Sequence, residues 1–104
     1  MKIKLLFLMG MVFSFAIAQI PKPSFNYTYS VEHNQIILNF KSDSQGNNLE
    51  YDWDFPGATL ENSELSNPQI AYNSVGEYFV TLKIKNDKGE SSISKKNYNF
   101  RRYN

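Results

Sequence analysis

The feature that most constrains this chain is a run of seven residues, Leu49-Glu50-Tyr51-Asp52-Trp53-Asp54-Phe55. Large apolar or aromatic side chains alternate there with carboxylates at a period of two. That is the signature of an extended strand, whose successive side chains point to opposite faces. Leu49, Tyr51, Trp53 and Phe55 then share one face, and Glu50, Asp52 and Asp54 share the other. Four such side chains in a row need a second apolar surface to bury them. No useful length of the chain carries an amphipathic helical pattern, so that surface must be a facing sheet.

Other segments repeat the pattern. Phe25, Tyr27 and Tyr29 alternate with polar neighbours in a first strand; Ile36, Leu38 and Phe40 do so in a second. His33-Asn34 separates these two, and the turn-forming stretch Ser42 to Asn48 follows. Pro56-Gly57 ends the strand around Trp53, and Ala58 to Asn67 reads as polar and irregular. Ile70 and Tyr72 mark a short strand. Glu77 to Lys85 is the longest, with Tyr78, Val80, Leu82 and Ile84 inward. Asn86-Asp87-Lys88-Gly89 reads as a hairpin connection in which Gly89 supplies a positive φ. A last strand, roughly Ser91 to Phe100, reads as an edge, where Lys95 and Lys96 discourage pairing with another sheet. About seven short strands separated by regular turn signals predict an all-β antiparallel sandwich with one core.

The N-terminus has a different character. Lys2 and Lys4 precede an uncharged, largely apolar stretch from Leu5 to Ala18, and Ala16-Ile17-Ala18 has the small-x-small form of a cleavage site. A spanning helix needs about 20 apolar residues, and this stretch has 14 before polar Gln19. The segment therefore reads as a secretory signal peptide over 1–18, cut between Ala18 and Gln19. A short linker is expected over 19–22, the domain over 23–100 and a tail over 101–104. Losing Lys2 and Lys4 leaves 9 basic against 10 acidic residues. That balance gives no electrostatic reason to expect nucleic acid or an acidic membrane as partner, and no membrane insertion is expected after cleavage. The chain has no cysteine, so an exported domain of this size must hold together by packing unless a metal or a neighbour helps. Aromatic residues make up 15% of the chain, enough to supply a core.

Two segments together carry a family likeness. Tyr51-Asp52-Trp53-Asp54-Phe55, then Asn67-Pro68, then Tyr72 and the stretch from Val75 through Gly76-Glu77-Tyr78 to Asn86 resemble the PKD domain. That family typically shows Trp-Asp-Phe-Gly-Asp-Gly, an Asn-Pro with a following tyrosine, and Pro-Gly-x-Tyr-x-Val-x-Leu-x-Val-x-Asn. The likeness runs from about Pro23 to Phe100. This chain departs from it at Pro56-Gly57-Ala58, which lacks the loop-tip acid, and at Val75, where proline is common. The first departure resembles a variant found in repeats on secreted proteins of Bacteroidetes-type bacteria. The resemblance implies an immunoglobulin-like sandwich and an extracellular module for adhesion, spacing or substrate contact. Such modules are often attached to secreted proteases and carbohydrate-active enzymes.

Catalytic constellations are hard to assemble from these residues. The single histidine, His33, falls in a turn, and nothing in the sequence sets it beside a nucleophile. Asp52 and Asp54 share a strand face, but neighbours on a solvated face do not offer the opposed carboxylates of glycoside hydrolysis. They do suit the oxygen-rich shell that calcium prefers, with Asp43 as a further ligand and Ser42, Asn47 and Asn48 beside it. Calcium is the one cofactor the sequence raises, and the polar face of a strand is the simpler reading. Trp53 goes to the core by parity. Phe79 interrupts the outward polar pattern of its strand, and Ile37 does so on the second. If those strands are neighbours in one sheet, the two form a small apolar contact patch. Asn26-Tyr27-Thr28 fits a glycosylation sequon and is read as incidental.

The expectation is thus a non-catalytic secreted or cell-surface module that contacts an extracellular protein or polysaccharide. The alternative is an accessory domain or N-terminal piece of a larger secreted protease or carbohydrate-active enzyme.

Overall fold

The computed structural model describes residues 20–96; the expected signal peptide and the end of the expected last strand, beyond Lys96, lie outside the described residues. Seven strands follow one another: β1 (Phe25–Glu32), β2 (Gln35–Ser42), β3 (Glu50–Asp54), β4 (Asn62–Ser63), β5 (Gln69–Tyr72), β6 (Phe79–Asn86) and β7 (Gly89–Lys96). They form two antiparallel sheets, one of order β1-β2-β5 and one of order β4-β3-β6-β7. The chain changes sheet between β2 and β3, again between β4 and β5, and again between β5 and β6, so neither sheet is built from one continuous stretch.

Alternation sets what lies between the sheets. Phe25, Ile36, Leu38, Phe40, Ile70 and Tyr72 come from the three-stranded sheet, and Trp53, Phe55, Val80, Leu82 and Ile84 face them. All eleven are at most 2% exposed. Each such side chain gains roughly 1.5–3 kcal/mol over leaving it in water, which is how a chain without disulfides closes a stable sandwich. The centre is aromatic. Trp53 stacks on Phe55, with ring centroids 5.5 Å apart and planes at 10°. Phe25 meets Trp53 edge-on at 5.0 Å, and Phe40 lies 5.3 Å from it. Nearer the end of the core, Tyr78 stacks on Tyr72 at 3.9 Å, which accounts for the inward parity of Tyr78.

Turn chemistry fixes the registers. β1 and β2 are joined by His33-Asn34, with φ of 50° and 66°. Two positive φ values in a two-residue loop are what matches the twist of a hairpin. The β6–β7 hairpin uses Gly89 at φ 144°, and the Asn86 side chain accepts from the Lys88 amide at 2.8 Å. The Asn86 side-chain Nδ2 also donates to the Asn47 carbonyl at 2.9 Å, tying this hairpin to the β2–β3 loop. The Asn67 side chain accepts from the Ser42 amide, and the Pro68 carbonyl accepts from Phe40.

Four expectations need amendment. The stretch Ala58 to Asn67 is not wholly irregular, since Asn62 and Ser63 pair with Asp54 and Trp53 as β4. Pro21 and Lys22, expected as linker, belong to the sandwich: Pro21 is buried, and Lys22 and Gln45 exchange two backbone hydrogen bonds of 2.9 Å. β7 starts at Gly89, earlier than Ser91, because the hairpin is tight and Asn86 pairs directly with Gly89. Tyr29 shares the parity of buried Phe25 yet is 54% exposed, because β1 is an edge strand and Tyr29 lies toward its hairpin end.

Candidate functional site

With the core enclosed, the surfaces left for function are the outer face of each sheet, the sheet edges and the loops. On the outer face of the four-stranded sheet, β3 contributes Glu50, Asp52 and Asp54, all exposed. Register sets Glu50 opposite Lys85, Asp52 opposite Lys83 and Asp54 opposite Thr81. β7 continues the rows with Glu90 beside Lys85 and Ser94 beside Thr81. The Thr81 and Ser94 hydroxyls are 2.6 Å apart. This face carries alternating charge.

The three calcium candidates are not brought together. Asp52 and Asp54 lie on that outer face. Asp43 follows β2 on the other sheet, where its amide donates to the Ser24 carbonyl and its carboxylate lies 3.5 Å from the Asn26 side-chain amide. Among the described residues no three His, Cys, Asp or Glu side chains are grouped as a metal ion would require. The donor set drawn from the sequence therefore does not fit calcium as one site: the strand crossing from β2 to β3 carries the chain from one sheet to the other.

Phe79 and Ile37 also separate. β6 and β2 belong to different sheets, so the condition for a joint patch fails. Ile37 is half-buried on the outer face of the three-stranded sheet, opposite Ser30 and Ala71. Phe79 is 59% exposed on the outer face of the other sheet, directly opposite Lys96. The Lys96 ammonium pairs with the Glu77 carboxylate at 3.3 Å, so an open aromatic ring sits beside an exposed ion pair. His33 is an exposed turn residue, and Trp53 is fully buried with its indole N–H donating to the Leu65 carbonyl at 2.8 Å.

One surface was not anticipated. β4 covers β3 only at Trp53 and Asp54, and a groove of about 490 Å³ extends from Glu64 and the β3 residues Glu50, Tyr51 and Asp52 across the sheet to Lys83 and Lys85 of β6 and Glu90 of β7. Glu50 stood in the alternating run and was legible as exposed. Glu64 lies in an aperiodic stretch that gave no signal, and the groove depends on where β4 stops.

Two antiparallel sheets closed on one core, in this strand order and with helices absent among the described residues, define an immunoglobulin-like β-sandwich module. The sequence profile of the PKD domain matches residues 21–100, and the chain belongs to that family. Domains of this family are in general non-catalytic modules. Among curated proteins the chain is similar to the pre-pro-metalloprotease PrtV of Vibrio cholerae serotype O1, in strains M66-2 and ATCC 39315 / El Tor Inaba N16961. Identity is 42% over 53 residues in each case, which is 51% of this chain and 6% of the relative. The chain thus corresponds to a small part of those metalloprotease precursors.

Proposed function

We propose that this chain is a non-catalytic contact module acting outside the cytoplasm, secreted or held at the cell surface, which recognises an extracellular protein or polysaccharide through its sheet faces and edges. The observation that carries the reading is the assignment of residues 21–100 to the PKD family. Its support is the leader-like sequence of residues 1–18 directly before that span. Phe79 beside the Glu77–Lys96 pair is one contact candidate, since an exposed aromatic ring offers a large area at small cost in side-chain freedom. A second reading, an accessory domain working beside a secreted protease, is favoured by the similarity to part of a metalloprotease precursor.

Export is tested by fractionating cells that produce the full chain with a C-terminal tag and sequencing the N-terminus of the product. The module reading expects a product outside the cytoplasm beginning at Gln19. Product confined to the cytoplasm with Met1 intact would sink it. Contact through Phe79 is tested by whether Phe79→Ala lowers retention of the exported product on the cell envelope or matrix.

A further inference from the structure

We propose that the uncovered edge of β3 accepts an extended, basic segment of a partner protein as an added strand. This rests on the reading of the domain as a contact module and names the chemistry of one partner.

In an antiparallel ladder alternate residues aim both backbone groups at the same neighbour. Phe55 donates to the Glu61 carbonyl at 2.7 Å, and Trp53 pairs with Ser63, so the odd residues of β3 face β4 and the even ones face β6. The N–H and C=O of Tyr51 therefore point to the β4 side. β4 does not reach them. At Leu65 the carbonyl is taken by the Trp53 indole at 2.8 Å, and the Leu65 amide donates to the Ser63 hydroxyl at 3.1 Å. Asn67 is then drawn to Ser42 on the other sheet. The chain leaves two residues before it would cover Tyr51, and a groove of about 490 Å³, lined by β6 and β7 residues as well as β3, adjoins that edge at Glu64.

Side chains set what fits. A strand added there would place one residue in two beside Leu49 and Tyr51, both half-buried, and the others beside Glu50 and Asp52, with Glu64 at the groove wall. Lys85 and Lys83 stand across the ladder from Glu50 and Asp52 and line the same groove without an ion-pair contact, so that with Glu64 and Glu90 the lining carries four carboxylates against two ammonium groups. Carboxylates on the outer row and apolar surface on the inner row call for a segment alternating Lys or Arg with an apolar residue. Strand addition gives affinity through main-chain bonds and specificity through such alternate pockets. The opposite edge differs, because β7 ends in Lys95 and Lys96, which oppose pairing.

The test titrates a capped pentapeptide alternating lysine and valine into the exported chain, with amide exchange read by NMR. The expected result is slowed exchange at Tyr51, and binding weakened about tenfold or more by Asp52→Lys but not by Asp43→Lys. Glu64→Lys, at an exposed position outside the ladder, replaces Asp52→Lys should that variant, facing Lys83, fail to fold. A matched peptide alternating glutamate and valine should bind at least tenfold more weakly. No change at Tyr51 in millimolar peptide, equal loss in Asp43→Lys, or protection confined to β1 or β7 overturns the proposal. Each of those leaves the contact-module reading standing if the product is still exported and processed at Gln19.

Discussion

Replacing Trp53 by phenylalanine removes two things that can be weighed separately. The indole N–H bond to the Leu65 carbonyl, 2.8 Å long, is lost. Leu65 is itself exposed, so water can reach its carbonyl and the net loss is about 1 kcal/mol. The smaller ring also gives up contact with Phe25, Phe40 and Phe55 in a fully buried site, and the space left behind adds a cavity cost. Together these contribute about 1–2 kcal/mol, since complete truncation of such a residue costs about 3–5. The sum, about 2–3 kcal/mol, is a large share of the roughly 5–15 kcal/mol that holds a domain together. It should lower Tm by about 10–20 °C in a domain of this size. The chain has one tryptophan, so unfolding is followed by circular dichroism in urea, where the midpoint should fall with an unchanged slope. Amide exchange at 63–65 should also quicken relative to Leu82 and Ile84. A loss below about 0.5 kcal/mol, or no change at 63–65, would refute both the packing assigned to Trp53 and its role in ending β4.

Three further outcomes follow from the geometry. Because Asp43 is separated from Asp52 and Asp54, calorimetric unfolding in excess EDTA and in millimolar calcium should give the same Tm; a calcium-dependent rise of several degrees, abolished by Asp52→Ala, would contradict this. Gly57→Ala should destabilise by about 1–2 kcal/mol, since Gly57 has φ 92° and an added Cβ would come within 3.0 Å of the Tyr78 ring; an unchanged urea midpoint would count against it. His33→Val should cost about 1–2 kcal/mol because a branched side chain resists φ 50°, whereas His33→Asn should be near neutral; equal midpoints for the two would show that the turn geometry is wrong.

Much of the fold was legible because its strands are long enough to display a period. Ile36-Leu38-Phe40, Trp53-Phe55 and Val80-Leu82-Ile84 reach the core by parity alone. β4 was not legible, because a two-residue strand has no period and owes its position to the Phe55–Glu61 backbone bond and the Trp53 indole. Pairing order was also out of reach. Alternation tells which way a residue points but not which strand lies beside it, so Phe79 and Ile37 could be read as outward yet not as lying on opposite sheets. The same limit scattered the calcium candidates. The groove beside Tyr51 depends on both a short strand and its termination, which are tertiary outcomes of Leu65 and Asn67 finding partners in distant segments.

Native-state amide exchange on the exported chain tests the central claim most directly, namely one core closed by two sheets with the β3 edge left open. The account predicts that Leu38, Phe40, Leu82 and Ile84 exchange only through global opening, with one common free energy for both sheets. Asp52 and Asp54 in β3 are expected to be protected while Tyr51, next to Asp52, exchanges fast. Two separate stability classes for the two sheets, or a Tyr51 amide as slow as that of Asp52, would contradict it.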